Sequence, residues 1–145
     1  MRMHTCSETI GFARELENTS AKFYEVLSQK FARKEEAFLS FVKENKKYLS
    51  EVERAYYGVI SDAIEGCFAF DIDPDEYAFQ IKLPEKADFA GAVNRAIEME
   101  NKIIKFYSDA ANQAKSLMAD VPRAFVLVAK KRGNRMAMLK SLLGG

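Results

Sequence analysis

The sequence predicts an all-α fold, an antiparallel four-helix bundle in which two helical hairpins are joined by one long crossover. Three observations lead there. Apolar residues recur at helical spacing over four stretches, residues 6–31, 35–65, 88–118 and 121–143. The connections between the first and second stretches and between the third and fourth are only a few residues, so each pair forms antiparallel neighbours. Residues 66–87 make a linker long enough to return along helices of about 35–45 Å, which sets the second and third helices parallel. With 145 residues, 48% of them hydrophobic, the chain suits a single domain spanning residues 1–145 with a sizeable core.

Each helix has its own signals. Thr5 and Glu8 stand at capping-box spacing ahead of the first, whose inward face reads Ile10, Ala13, Glu17, Ser20, Tyr24, Leu27 and Phe31. The second turns Phe38, Phe41, Val42, Leu49, Val52, Tyr56, Val59 and Ala63 inward, with Asn45 and Tyr48 in the same stripe, and stops at Gly66. In the crossover, the alternation of residues 77–83 between Pro74 and Pro84 suggests a short extended segment packed on the bundle. Asp88 is a suitable N-cap for the third helix, which buries Val93, Ile97, Ile104, Tyr107 and Ala111 around Glu100. Asp120 and Pro122 start the fourth, whose inward residues are expected to be Phe125, Val128, Ala129, Met136, Leu139 and Leu143, with Arg132 between them.

Composition narrows the function. No run of about 18 apolar residues occurs, and the N-terminal stretch has no apolar segment of signal-peptide type, so the expectation is a cytoplasmic protein without a membrane partner. Cys6 and Cys67 lie far apart and form no C-x-x-C pair; they are read as free thiols, Cys67 as a small buried hydrophobe. The net charge of +1 hides an asymmetry: residues 121–145 contain six Lys and Arg and no acid, leaving sixteen basic against 21 acidic residues elsewhere. A basic run of this kind is ordinarily a solvated face, or it balances acids within the bundle.

The chain also repeats itself. ARELENTSAKFY at residues 13–24 and AIEMENKIIKFY at residues 96–107 share seven of twelve positions. Each copy places a glutamate, Glu17 or Glu100, seven residues before a tyrosine, Tyr24 or Tyr107, inside an apolar stripe. With this A-x-E-x-E-N…K-F-Y repeat in place, the chain resembles the rubrerythrin-related branch of the ferritin-like superfamily over nearly its whole length. The resemblance implies a di-iron site in which helices one and three each give a glutamate and helices two and four each give an E-x-x-H. It carries the first-helix ligand onto Glu17 and the third-helix ligand onto Glu100. In helix two, however, Asn45 and Tyr48 take the glutamate and histidine positions, and in helix four Gly133 and Met136 do. No Asp, Glu or His follows Asp120, and the lone histidine, His4, precedes the first helix. A one-residue shift in helix two would offer Glu44 but still no histidine. Two carboxylates do not suffice for a pair of irons, whose charge calls for anionic oxygen and imidazole donors.

Left without metal inside a bundle, Glu17 and Glu100 need compensation, because each unpaired buried charge costs several kcal/mol. The expected solution is a buried polar cluster of Glu17, Glu100, Asn45, Tyr48 and Arg132, with the guanidinium forked onto the carboxylates and Asn45 and Tyr48 donating to the same oxygens. Carboxyls that share a proton are a second solution. Tyr24 and Tyr107 are read as core tyrosines with satisfied hydroxyls, and Met136 as a core residue ahead of a soft metal ligand.

Three functions compete. The favoured one is a metal-free relative of the rubrerythrin group serving as a structural or binding bundle, with no cofactor and no catalytic residues. It is expected to form a homodimer because Phe38, Phe41, Tyr56 and Tyr57 supply aromatic surface. The second is an iron-dependent oxidoreductase, doing oxidase, peroxidase or iron-handling chemistry with a non-standard site at Glu17 and Glu100. The third is anion or nucleic-acid binding through the basic fourth helix. It is disfavoured because stacking aromatics are not interleaved there.

Overall fold

The structure is a computed structural model that describes residues 2–59, 70–114 and 120–144. Among them lie four α-helices, α1 (Cys6–Lys30), α2 (Glu35–Val59), α3 (Phe89–Gln113) and α4 (Asp120–Gly144), with 3-10 turns at Ala32–Lys34 and Pro74–Tyr77. The expected continuation of helix two to residue 65, its stop at Gly66, inward Ala63, Cys67 and the expected end of helix three over residues 115–118 lie outside the described residues. No helix is long and apolar enough to cross a membrane among the residues described.

The caps follow the local chemistry. The Thr5 hydroxyl accepts from the Glu8 amide at 3.1 Å while the Glu8 carboxylate accepts from the Thr5 amide at 3.1 Å, satisfying donors that the first turn of α1 leaves unpaired. Asp88 accepts from the Gly91 amide at 2.8 Å and starts α3. At its other end α1 closes on Phe31, whose amide donates to the Leu27 carbonyl. The 3-10 turn at Ala32–Lys34 then delivers the chain into α2.

Contacts between helices pair residues in opposite order along the chain. Arg14 meets Glu53 while Tyr24 packs on Phe38 and Phe41, which joins α1 to α2. Tyr107 packs on Phe125 while Glu100 meets Arg132, joining α3 to α4. Phe12 packs on Phe106 while Phe31 packs on Phe89, joining α1 to α3. The segment from Phe70 to Asp88 lies alongside α1. It begins at the helix's N-terminal end, where Met3 and Ile72 form an isolated antiparallel bridge and the Phe70 amide donates to His4. It reaches the C-terminal end at Pro84 and Glu85, whose carbonyls accept from Lys30.

Residues 77–83 form no strand. Tyr77 closes a 3-10 turn capped by Asp73, packs on Phe12 and Phe106 and donates to Asp109 at 2.6 Å, while Phe79 and Leu83 lie half-buried against the core. This cover shifts the buried face of α3. Ala96, Met99, Ile103, Phe106 and Ala110 are buried with Glu100 and Tyr107, and Ile97 and Ile104, expected inside, sit at the edge.

Helix α4 departs furthest from its expected face. Phe125, Val128, Arg132, Arg135 and Leu139 are inside, Met136 and Ala129 are half-buried, Gly133 is exposed and Leu143 is 40% exposed. Apolar spacing alone pointed to Met136. The structure instead turns Arg135 inward, because two acids there need two cations. The aromatic surface expected on α2 for a second copy is also largely used: Phe38, Phe41 and Tyr56 are buried, and only Tyr57 is exposed, at 56%.

Candidate functional site

The middle of the bundle holds a charged cluster sealed from solvent. Glu17 from α1, Glu100 from α3 and Arg132 and Arg135 from α4 are each no more than 1% exposed. The stripe of each helix positions them. Glu17 lies between Ala13 and Ser20, Glu100 between Ala96 and Ile103, and Arg132 between Val128 and Leu139, so tight packing on either side fixes where each polar group points.

Arg132 is the centre of the cluster. Its Nη2 donates to Glu17 Oε1 at 2.6 Å and its Nε to Glu17 Oε2 at 3.3 Å, a two-point fork. Its Nη1 donates to both oxygens of Glu100, at 2.8 and 2.7 Å. One guanidinium thus spans both carboxylates. Arg135 adds a second positive charge on one side only: Nη1 reaches Asn45 Oδ1 at 2.6 Å and Glu100 Oε1 at 3.3 Å, and Nη2 donates to the Phe41 carbonyl at 2.9 Å. Glu44, half-buried at the rim, stands 3.6 Å from Arg135 Nη2. Two buried carboxylates therefore face two buried guanidiniums.

The repeat in the sequence is a reciprocal exchange in space. Tyr24 of the first copy donates its hydroxyl to Glu100 of the second at 2.6 Å, and Tyr107 of the second donates to Glu17 of the first at 2.6 Å. Each seven-residue spacing supplies a carboxylate on one helix and a hydroxyl for the other helix's carboxylate. The tyrosines sit at full burial, as expected of core residues with satisfied hydroxyls.

Asn45 and Tyr48 join the cluster by other bonds than those expected. Asn45 donates to the Glu17 main-chain carbonyl at 3.2 Å, not to a carboxylate, and accepts from Arg135. Tyr48 gives no hydrogen bond to either glutamate. Its ring faces both guanidiniums, 5.3 Å from Arg132 Cζ and 5.1 Å from Arg135 Cζ, and its hydroxyl has no partner among the described residues. Tyr24 and Phe41 rings lie 5.1 and 4.8 Å from Arg135 Cζ, which gives that cation an aromatic lining. Gly133 and Met136 take no part. From the sequence Arg135 reads only as part of the basic run Lys130, Lys131, Arg132 and Arg135, not as a member of the cluster; the signal for its place there is its position three residues after Arg132, one turn along the same face.

Burial and charge pull the ionisable groups in opposite directions. Burial pushes the Glu100 carboxyl up, but Arg132, Arg135 and the Tyr24 hydroxyl together outweigh it and hold the group below the ordinary glutamate range. Burial drives Tyr24 and Tyr107 well above the usual phenol value, reinforced by the carboxylates they bind. For Arg132, burial favours loss of charge, yet Glu100 and Glu17 prevail and raise it further. Glu100 and Arg132 are thereby held in their charged forms at neutral pH.

Tyr24→Phe and Tyr107→Phe should each cost about 1.5–3 kcal/mol, the worth of a hydrogen bond to a charged group, and by similar amounts given the reciprocal geometry. Urea denaturation of the two variants checks this. Because the folded phenols titrate above the unfolded value of about 10, their contribution is complete below that pH and lost as pH rises through the folded values. Both variants should show a flatter alkaline limb.

No family model, curated protein or solved structure matches the chain. The site must therefore be interpreted on its own chemistry. Among the described residues, no group of three or more His, Cys, Asp or Glu is placed to hold a metal ion. The donors present do not suit the irons that a rubrerythrin-like bundle would carry. The oxygens of Glu17 and Glu100 that would face a metal accept instead from Arg132, whose guanidinium is a donor only.

Proposed function

We propose that the protein is a ferritin-like bundle, related to the rubrerythrin group, in which a buried arginine pair stands in place of a di-iron centre, and that it serves as a non-catalytic structural or binding protein of the cytoplasm. The observation that carries this reading is the Arg132 guanidinium bound to both Glu17 and Glu100, at 2.6 and 2.7 Å. Two further features support it. The opposed pairing of α1 with α2 and of α3 with α4, with the segment after Phe70 running the length of α1, suits two hairpins joined by a crossover. Asn45 with Tyr48 on α2 and Arg132 with Arg135 on α4 both have the i, i+3 spacing of the family's E-x-x-H ligand pairs. On this assignment Arg132 and Arg135, and not Gly133 and Met136, stand where the fourth-helix ligands would be.

The other readings lose their footing. An iron-dependent oxidoreductase would require both carboxylates to give up Arg132 and would still find no imidazole beside them. Nucleic-acid binding through the fourth helix loses two of its cations, since Arg132 and Arg135 are buried. A homodimer is not required by the reading, and Tyr57 alone remains of the aromatics that favoured one.

Metal analysis after anaerobic Fe(II) loading and desalting tests the proposal. Iron well below one per chain is expected. A stoichiometry of two irons per chain, with loss of binding in Glu17→Gln and Glu100→Gln, would overturn it.

A further inference from the structure

A cavity lies at the end of the bundle. Going from Glu17 to Lys30 along α1 covers roughly 20 Å at 1.5 Å per residue, and from Arg135 to Leu142 along α4 about 10 Å, so this region lies beyond the arginine cluster toward the end of the bundle. Here the turn between α1 and α2, the start of α3 and the end of α4 border a half-open cavity of about 700 Å³. Phe31, Phe89, Leu142 and Leu143 supply its apolar surface, and Phe31 and Phe89 stack edge to face at 5.4 Å. Leu143 keeps 40% of its surface exposed there.

The polar part of the lining carries one sign. Lys30, Arg33 and Lys34 line the cavity and, among the described residues, no acidic one does. Lys30 is committed to the Pro84 and Glu85 carbonyls, at 3.5 and 3.0 Å, and favourably ends α1. Arg33 and Lys34 are exposed on the 3-10 turn and have no ion pair or side-chain hydrogen bond with another described residue. A volume in the range of small-molecule sites, apolar walls and two unengaged cations at the rim define a complementary shape: an apolar body with one anionic head.

We propose that this cavity binds a small free amphipathic carboxylate, with the alkyl or aryl body against Phe31, Phe89, Leu142 and Leu143 and the carboxylate at Arg33 and Lys34. The apolar walls supply the bulk of the affinity, and the cations select the charge of the head group. The site holds whether or not the buried cluster accepts metal.

Calorimetric titration of the full chain with decanoate, decanol and decyltrimethylammonium, all below their aggregation concentrations, tests this. Decanoate should bind saturably at one site and at least tenfold more tightly than decanol, with decyltrimethylammonium weaker than both. Arg33→Gln combined with Lys34→Gln should bring decanoate down to the affinity of decanol, and Leu143→Asp should abolish binding of both. These side chains are exposed, so circular dichroism and the urea midpoint should stay close to those of the parent protein. Equal affinity for the three amphiphiles, undiminished decanoate binding in the double variant, or binding only to phosphatidylglycerol vesicles would overturn the proposal.

Discussion

Replacing Arg132 with methionine should destabilise the fold by about 3–5 kcal/mol, the loss typical of breaking a buried ion pair from one side. The two carboxylates do not suffer equally. Glu100 keeps Arg135 at 3.3 Å and the Tyr24 hydroxyl, whereas Glu17 is left with Tyr107 alone. The stranded charge is therefore that of Glu17, and adding Glu17→Gln to Arg132→Met should restore most of the stability by leaving a neutral Glu100 and Arg135 pair. Urea denaturation of the single and double variants forms a thermodynamic cycle, and a coupling energy of about 3 kcal/mol, the upper end for contacting residues, is expected between the two positions. Parental stability in Arg132→Met would contradict the central role given to this residue.

Glu100→Gln should have the next largest effect, on the order of 3 kcal/mol, because two guanidiniums then face one buried carboxylate. Arg132 retains its fork on Glu17, so Arg135 becomes the unpaired ion, with only Asn45, the Phe41 carbonyl and rim Glu44 to hold it. Arg135→Met should rescue Glu100→Gln, and Arg132→Met should not. The same carboxylate governs the acid limb. Its folded titration lies below that of an ordinary glutamate, so its contribution is complete above the unfolded value of about 4.3 and is lost as pH falls through the folded value. Stability measured against pH should fall steeply in this acid range for the parent protein and less steeply for Glu100→Gln.

The local signals of this chain carry far because they depend on neighbours in sequence. Thr5 with Glu8 and Asp88 with Gly91 cap their helices through contacts three residues long, so residue type and spacing suffice to place them. The stripes of α1 and α2 are similarly legible: Ile10, Ala13, Glu17, Tyr24, Phe38, Phe41 and Val52 are buried as their spacing indicates, with Phe31 and Leu49 half-buried at the margin. On α3 and α4 the expected Val93, Glu100, Tyr107, Ala111, Phe125, Val128, Arg132 and Leu139 are buried, but Ile97, Ile104, Ala129, Met136 and Leu143 are not, because there the inward face depends on what else is present. The segment around Tyr77 covers one side of α3 and shifts its buried face, and electrostatic demand inside the bundle draws Arg135 in at the expense of Met136. A hydropathy pattern scores arginine as surface, so it cannot register a guanidinium whose burial is compensated by an acid 35 residues away in sequence.

By itself the sequence determined four amphipathic helices, a repeated Glu and Tyr pair within two apolar stripes, and the need for a cation beside the two acids, with Arg132 as the candidate. These follow from periodicity and from the cost of burying a charge. Only the tertiary structure decided how the copies interlock, with Tyr24 serving Glu100 and Tyr107 serving Glu17, and that two arginines balance the two acids. The physical reason is that hydrogen bonds and ion pairs of this kind form across helices, at distances of about 3 Å set by packing, and spacing along one chain segment does not encode the angle at which another helix presents its side chains.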